Sequence, residues 1–121
     1  MGNSWRKLNN LVEFPIYNLD ISSYVQDFNF LQSQDISCQY DLCGIINHYG
    51  SLTYGHYVSI NKNPYDGNWY KYDDQFRIQI PESQIAKESA YILFYIRKDV
   101  LVKKLSDIFP SINQIFPGKP V

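Results

Sequence analysis

A chain of 121 residues that is 45% apolar and 17% aromatic can hold one small domain, and it is too rich in core-type side chains for a disordered polymer. A formal net charge of -1, with basic residues scattered apart from Lys103-Lys104, leaves no electrostatic footprint for nucleic acid. No stretch is long and apolar enough to span a bilayer. The start, Met1-Gly2-Asn3-Ser4-Trp5-Arg6, lacks the apolar core of a secretory signal and matches a myristoylation signal poorly, so an intracellular setting, cytoplasm or nucleus, is expected. Two cysteines, Cys38 and Cys43, are too few for a secreted disulfide framework and are expected to stay reduced.

Eleven tyrosines and seven phenylalanines favour a sheet-rich fold with partly wet aromatic faces. Up to about Asp35 the signals are weak. Glu13-Phe14-Pro15-Ile16 is expected to be extended, because Pro15 biases Phe14 away from helix, and residues 18–25 to hold a turn or a short capped helix. From Tyr40 the pattern sharpens. Tyr40 to Asn47 is a strand candidate, with Tyr40, Leu42 and Ile46 expected on one face and Cys43 and Ile45 on the other. His48 to Gly55 carries two glycines among polar residues and is expected to be a loop. Gly55 to Lys62 is a second strand and Trp69 to Tyr72 a third. Asn-Pro and Asp-Gly signals between them, over 63–68, predict a hairpin. Phe76 to Ile80 alternates as a fourth strand, Pro81 to Ala86 suits a short helix with proline in its first turn, and Ala90 to Ile96 is a fifth strand. In the tail, Leu101, Leu105, Ile108 and Phe109 stand at helical spacing before Pro110, Pro117 and Pro120. The fold class is therefore α+β, dominated by an antiparallel sheet.

Two segments carry the candidate chemistry. Gly55-His56-Tyr57 puts a histidine at the start of a strand, and Trp69-Tyr70-Lys71-Tyr72-Asp73-Asp74 is an aromatic strand ending in paired carboxylates. A hairpin between them brings His56 beside Asp73, and a carboxylate beside histidine fixes its tautomer and supports an imidazolium. On spacing alone such a pair is more often a satisfied surface contact than a catalytic dyad. A zinc site built from Cys38, Cys43, His48 and His56 fits no standard zinc spacing. No metal or other cofactor is expected.

The run Tyr40-Asp41-Leu42-Cys43-Gly44-Ile45-Ile46-Asn47-His48-Tyr49-Gly50, followed by Gly55-His56-Tyr57, resembles the histidine box of ubiquitin-specific proteases. Asn63-Pro64, Asp66-Gly67-Asn68-Trp69-Tyr70 and Tyr72-Asp73-Asp74 continue that pattern in order. Ala90 to Arg97 is similar to the strand that closes the family's catalytic domain, and Leu11 to Ile16 to the segment that precedes the box. The resemblance covers about residues 5 to 98. It implies that residues 1–98 form the C-terminal part of a papain-like catalytic domain, and the helical spacing and prolines beyond them make 99–121 an expected amphipathic helix and tail.

By that resemblance His56 is the general base for a cysteine thiol, Asp73 orients it, and Asp74 assists with a water or the oxyanion. Gly55 and Tyr54 would belong to the channel for ubiquitin's C-terminal tail, Tyr57 and Trp69 would wall that channel or pack the core, and the loop from His48 to Tyr54 would occupy the place of a substrate gate. The family's nucleophile lies upstream in a separate cysteine box that these residues do not include. Cys43 stands where the family has small residues and is expected to be a core thiol, and Cys38 has no better claim. Ser51, Thr53 and Tyr54 replace the family's glycines in the gate.

Two functions fit. The chain is the histidine-bearing portion of a deubiquitinase that needs a cysteine from outside, from another chain or from further sequence, or it is a non-catalytic module that binds ubiquitin or scaffolds an assembly. Ubiquitin or a ubiquitinated protein is the expected partner. By the family mechanism these residues alone should hydrolyse nothing.

Overall fold

The computed structural model describes residues 4–100. Six strands form one antiparallel sheet: β1 (Leu19–Asp20), β2 (Gln39–Gly50), β3 (Gly55–Lys62), β4 (Trp69–Asp73), β5 (Phe76–Ile80) and β6 (Ala90–Arg97). One short helix, α1 (Phe28–Ser33), stands between β1 and β2. The order is β1-β2-β3-β4-β5, with β6 on β2 along its other edge. β2 is thus the shared strand. Its own apolar centre, Leu42 to Ile46, and the near-continuous apolar run of β6 suit a strand hydrogen-bonded on both sides.

Each connection has a local cause. β2 and β3 pair as far as Gly50 and Gly55, leaving only residues 51–54 as a loop, closed by the Ser51 N–H and hydroxyl on the carbonyl of Tyr54 at 2.7 and 3.2 Å. The expected loop was longer because His48, Tyr49 and Gly50 read as polar or flexible, whereas the ladder continues through them. Gly50 adopts φ +117°, a conformation open to glycine. The Asn-Pro and Asp-Gly turn forms as expected: Asn63 and Asn68 close it at 2.8 Å, and Gly67 takes φ +75°. β4 and β5 are joined through Asp74 and Gln75, with Asp74 at φ 50°. Pro81 to Ala86 tightens to a single 3-10 turn, Glu82–Gln84, and Ser22–Tyr24 form another. The tail helix expected beyond Val100 lies outside the described residues.

The expected faces of β2 need one correction. Leu42 and Ile45 do not oppose one another; both are in the core, at 1% and 0% exposure. The β2–β6 register shifts between Leu42 and Gly44, so Cys43 is an extra residue that resets the alternation. Beyond that bulge Ile45 takes the face that Leu42 held. Phe14, Ile60, Trp69 and Ile85 complete the buried cluster, with Ile16, Ile80, Leu93 and Tyr95 packed against it. Residues on either side of the sheet in sequence cover this face. The Ile16 carbonyl accepts the Leu42 N–H at 2.8 Å, the Pro15 carbonyl accepts the Tyr95 hydroxyl at 2.5 Å, and Asn47 Nδ2 donates to Ala86 O and Ser89 Oγ at 2.7 and 2.9 Å. No helix among the described residues is long and apolar enough to cross a membrane.

Cover runs out toward β5. Ile78 alternates onto the core face beside Lys71, yet it is 58% exposed. Matched substitutions separate the two environments. Ile45→Val should cost about 1 kcal/mol in urea denaturation, the usual range for a buried methylene, and Ile78→Val under about 0.5 kcal/mol. Equal losses would mean that the bulge does not direct Ile45 inward.

Candidate active site

His56 and Asp73 meet because of register. Ile60 pairs with Lys71 and Lys62 with Trp69, so His56, Val58 and Ile60 of β3 share a face with Trp69, Lys71 and Asp73 of β4. Val58 and Trp69 anchor that face in the interior, and the pair stands at its open end. His56 Nε2 and Asp73 Oδ1 are 2.7 Å apart, with side chains 48% and 42% exposed. The hydrogen bond to Asp73 raises the His56 pKa above its ordinary value. Partial desolvation and Lys71 oppose that rise, and the charges of Asp73 and Asp74 add to it.

The contact also decides which nitrogen can act. With Asp73 ionised, Nε2 carries the proton and donates it to the carboxylate, leaving the lone pair on Nδ1. An imidazole held in this tautomer is a base with one defined direction of attack. Asp74, at the start of the β4–β5 turn, brings a second carboxylate: one ligand-type atom from each of His56, Asp73 and Asp74 lies within 4.8 Å of the others. Carboxylates and histidine suit a divalent cation as well as proton transfer, and exposed clusters of this kind commonly hold no ion.

The cysteines do not approach. Tyr49 pairs with His56, and Cys43 precedes Tyr49 by six positions along β2. At a strand's rise that is about 20 Å, too far for an imidazole to take a thiol proton, and Cys38 is further away still. Cys38 is buried, at 8% exposure. Cys43 is half-buried on its bulge, its Sγ 3.4 Å from the Phe94 carbonyl, and burial pushes its thiol pKa up, the opposite of an activated nucleophile. Nor do Cys38, Cys43, His48 and His56 converge: among the described residues the cluster of metal-capable side chains is His56, Asp73 and Asp74.

The other expected site residues scatter. Tyr54 is 87% exposed in the 51–54 loop. Gly55 adjoins His56. Tyr57 stands on the opposite face of β3, paired with His48. Trp69 is 3% exposed and belongs to the core, its Nε1 donating to Glu82 at 3.3 Å. One residue that the sequence did not single out for this site is His48, which is buried immediately behind Gly55. The signal for it was the pairing of His48 with Tyr57, visible only once the β2–β3 loop is known to be short.

The family model described as "Ubiquitin carboxyl-terminal hydrolase" matches residues 1–95. Ubiquitin carboxyl-terminal hydrolase 15 of Rattus norvegicus is 41% identical over 93 residues, which cover 77% of this chain and 9% of that protein. Ubiquitin carboxyl-terminal hydrolase 4 of Bos taurus is 39% identical over 115 residues, covering 94% of this chain and 11% of that protein. Among solved structures, the SAGA Ubp8/Sgf11/Sus1/Sgf73 DUB module bound to ubiquitin aldehyde contains a chain similar to this one. Its TM-score is 0.61 at 32% identity, covering 77% of this chain and 20% of that one. The chain thus spans about a tenth of the length of these curated relatives.

The dyad makes a prediction with a defined sign. A histidine whose folded-state pKa is raised contributes stability fully present below its unfolded value, about 6.5, and lost as pH rises through the folded value. NMR titration should therefore find His56 above the ordinary histidine range, and Asp73→Asn should bring it down. The stability advantage of the native chain over Asp73→Asn should be largest below about pH 6.5 and shrink above the folded pKa of His56. A His56 titration indifferent to Asp73→Asn would remove the dyad.

Proposed function

The chain belongs to the ubiquitin carboxyl-terminal hydrolase family, and from that premise we propose that it is the histidine-bearing portion of a thiol-dependent deubiquitinase. The observation that carries this reading is the 2.7 Å contact from His56 Nε2 to Asp73, which leaves Nδ1 as the base. The reaction is hydrolysis of the isopeptide or peptide bond at the C-terminus of ubiquitin. The nucleophilic thiol comes from outside these residues, since neither Cys43 nor Cys38 reaches His56.

In this mechanism His56 Nδ1 takes the thiol proton, and the resulting thiolate adds to the carbonyl carbon. The imidazolium, supported by Asp73, returns that proton to the departing amine as the carbon–nitrogen bond breaks. Water then attacks the thioester with His56 again as base, releasing the ubiquitin carboxylate and regenerating the thiol. In this reading Asp74, whose carboxylate lies close to His56 and Asp73, holds that water or a donor to the oxyanion. The missing side chain of Gly55 makes room for the His48 ring on the reverse face, and Tyr54, exposed in the loop just before His56, is the channel residue in this reading. Trp69 serves from below, as the buried support of β4, and Tyr57 from the reverse face. Residues 1–98 are the catalytic part in this reading and 99–121 a separate tail. A reduced thiol calls for a cytoplasmic or nuclear setting.

The test uses ubiquitin carrying a C-terminal thiol-reactive group, with the purified chain alone and combined with the upstream, cysteine-bearing portion of a relative's catalytic domain. The chain alone should form no adduct at Cys38 or Cys43. The combination should label and cleave ubiquitin conjugates, and His56→Ala should cut turnover by about 10²–10⁴-fold. An adduct on the isolated chain would overturn the external nucleophile. Turnover unmoved by His56→Ala would overturn the base. Silence of a combination that is shown to assemble would favour the non-catalytic ubiquitin-binding module.

A further inference from the structure

His48 is the most unusual buried group among the described residues. It is 7% exposed, and its Nδ1 is buried with no hydrogen-bond partner. Burial and the nearby Lys7 ammonium lower its pKa, so the ring is neutral at ordinary pH. A polar ring buried without full hydrogen bonding costs stability, a cost that close packing of the ring can offset.

That shape fits one place. A Cβ on residue 55 would lie 2.3 Å from His48 Nε2 and 2.9 Å from Cε1, so the imidazole occupies the space that a side chain on residue 55 would need. Gly55 directly precedes His56. His48 pairs with Tyr57, Tyr49 with His56, and Gly50 with Gly55, so the ring backs the turn of chain that carries the base. Alternation puts His48 on the opposite face of the sheet from His56. Two tyrosines hold the ring from outside: Tyr57 with centroids 4.5 Å apart, and Tyr91 at 5.5 Å. Tyr91 is available for this because the β2–β6 register slips between Ile46 and Asn47, leaving it an extra residue in β6. From the third side, Lys7 Nζ donates to the carbonyl of His48 at 2.9 Å and to that of Gly50 at 3.4 Å.

We propose that His48 is a positioning residue for His56, a flat wedge pressed into the gap at Gly55 that fixes the backbone of residues 55–57 from behind. It touches no reacting atom. It acts by keeping His56 Nε2 within hydrogen-bond reach of Asp73, a tolerance of a few tenths of an ångström that the exposed first residues of β3 do not secure themselves. The wedge works by shape, since its Nδ1 makes no hydrogen bond. The inference rests on His56 being the base, but the Nε2–Asp73 contact it protects exists with or without a thiol.

The experiment follows His56 by NMR titration and amide hydrogen exchange in the full 121-residue chain, with Asp73→Asn as the reference for a broken dyad. His48→Ala should move the His56 titration at least half of the way to that of Asp73→Asn. It should also speed exchange at residues 55–57 about tenfold, with β4–β5 amides unchanged. His48→Phe keeps a flat ring and loses no hydrogen bond at the buried nitrogen, so it should titrate like the native chain. Tyr91→Ala, a half-exposed site, should shift His56 in the same direction as His48→Ala by a smaller amount, which keeps the test open where His48→Ala fails to fold. A folded His48→Ala chain, or a folded Tyr91→Ala chain, with a native His56 titration would overturn the wedge. His48→Phe behaving like His48→Ala would overturn it as well, because shape would then not be the cause. Failure of the deubiquitinase reading shows elsewhere, as absent turnover with the His56–Asp73 titration intact.

Discussion

Hydrogen bonding along both edges of β2 is the constraint on which the rest of the structure depends. β6 and β3 flank it over residues 44–47, so its backbone groups there are satisfied without water. That lets Gly44 and Asn47 stand buried in the interior of the strand, and Asn47 is itself 0% exposed. From β2 the ladder propagates outward: β3 takes its register from β2, β4 from β3, and the Nε2–Asp73 contact is the end product of those two registers. A one-residue slip between β3 and β4 would send His56 and Asp73 to opposite faces, and one between β2 and β3 would turn both away from the core side of β2.

The dyad sits at the margin of this order, and its energetics reflect that. A half-exposed histidine–carboxylate pair is screened by water and adds little to stability. The same pair under a covering surface faces a lower dielectric, where both the hydrogen bond and the charge attraction strengthen. The core face around it is incompletely covered as well. Phe76, opposite Asp73, is 62% exposed, and Ile78, opposite Lys71, is 58% exposed. The apolar side chains and the half-exposed dyad are one open region of one face.

Much of this was legible in the sequence wherever a signal was local. Gly55 to Lys62 and Phe76 to Ile80 show alternation or β-branched runs with turn residues at both ends, and their observed bounds agree with the pattern. The pairing of His56 with Asp73 followed from the 63–68 turn, whose Asn-Pro and Asp-Gly signals fix the hairpin. Illegible features were those set by the partner strand. Nothing in Leu42-Cys43-Gly44 announces a bulge, because the slip belongs to the match between β2 and β6. The end of β2 was hidden for a similar reason: His48, Tyr49 and Gly50 resemble a loop, and become strand only because Gly55, His56 and Tyr57 lie opposite.

The two bulges connect these errors to the chemistry. At Cys43 the extra residue keeps Leu42 and Ile45 inward and leaves the thiol at the strand's flank, where burial raises its pKa. At Tyr91 the extra residue restores the register that the first bulge offset, so Asn47 pairs with Ala90 and reaches Ala86 and Ser89 on the core side. Between the bulges, β2 and β6 run one residue out of step with the pairing on either side. An unbulged β2 would turn the β2–β3 hairpin over as a unit, with Ile45 and His56 on the reverse face and His48 and Gly55 together on the core side. The face on which His56 stands and the apolar cluster that supports Trp69 beneath Asp73 thus share one cause, the extra residue at Cys43.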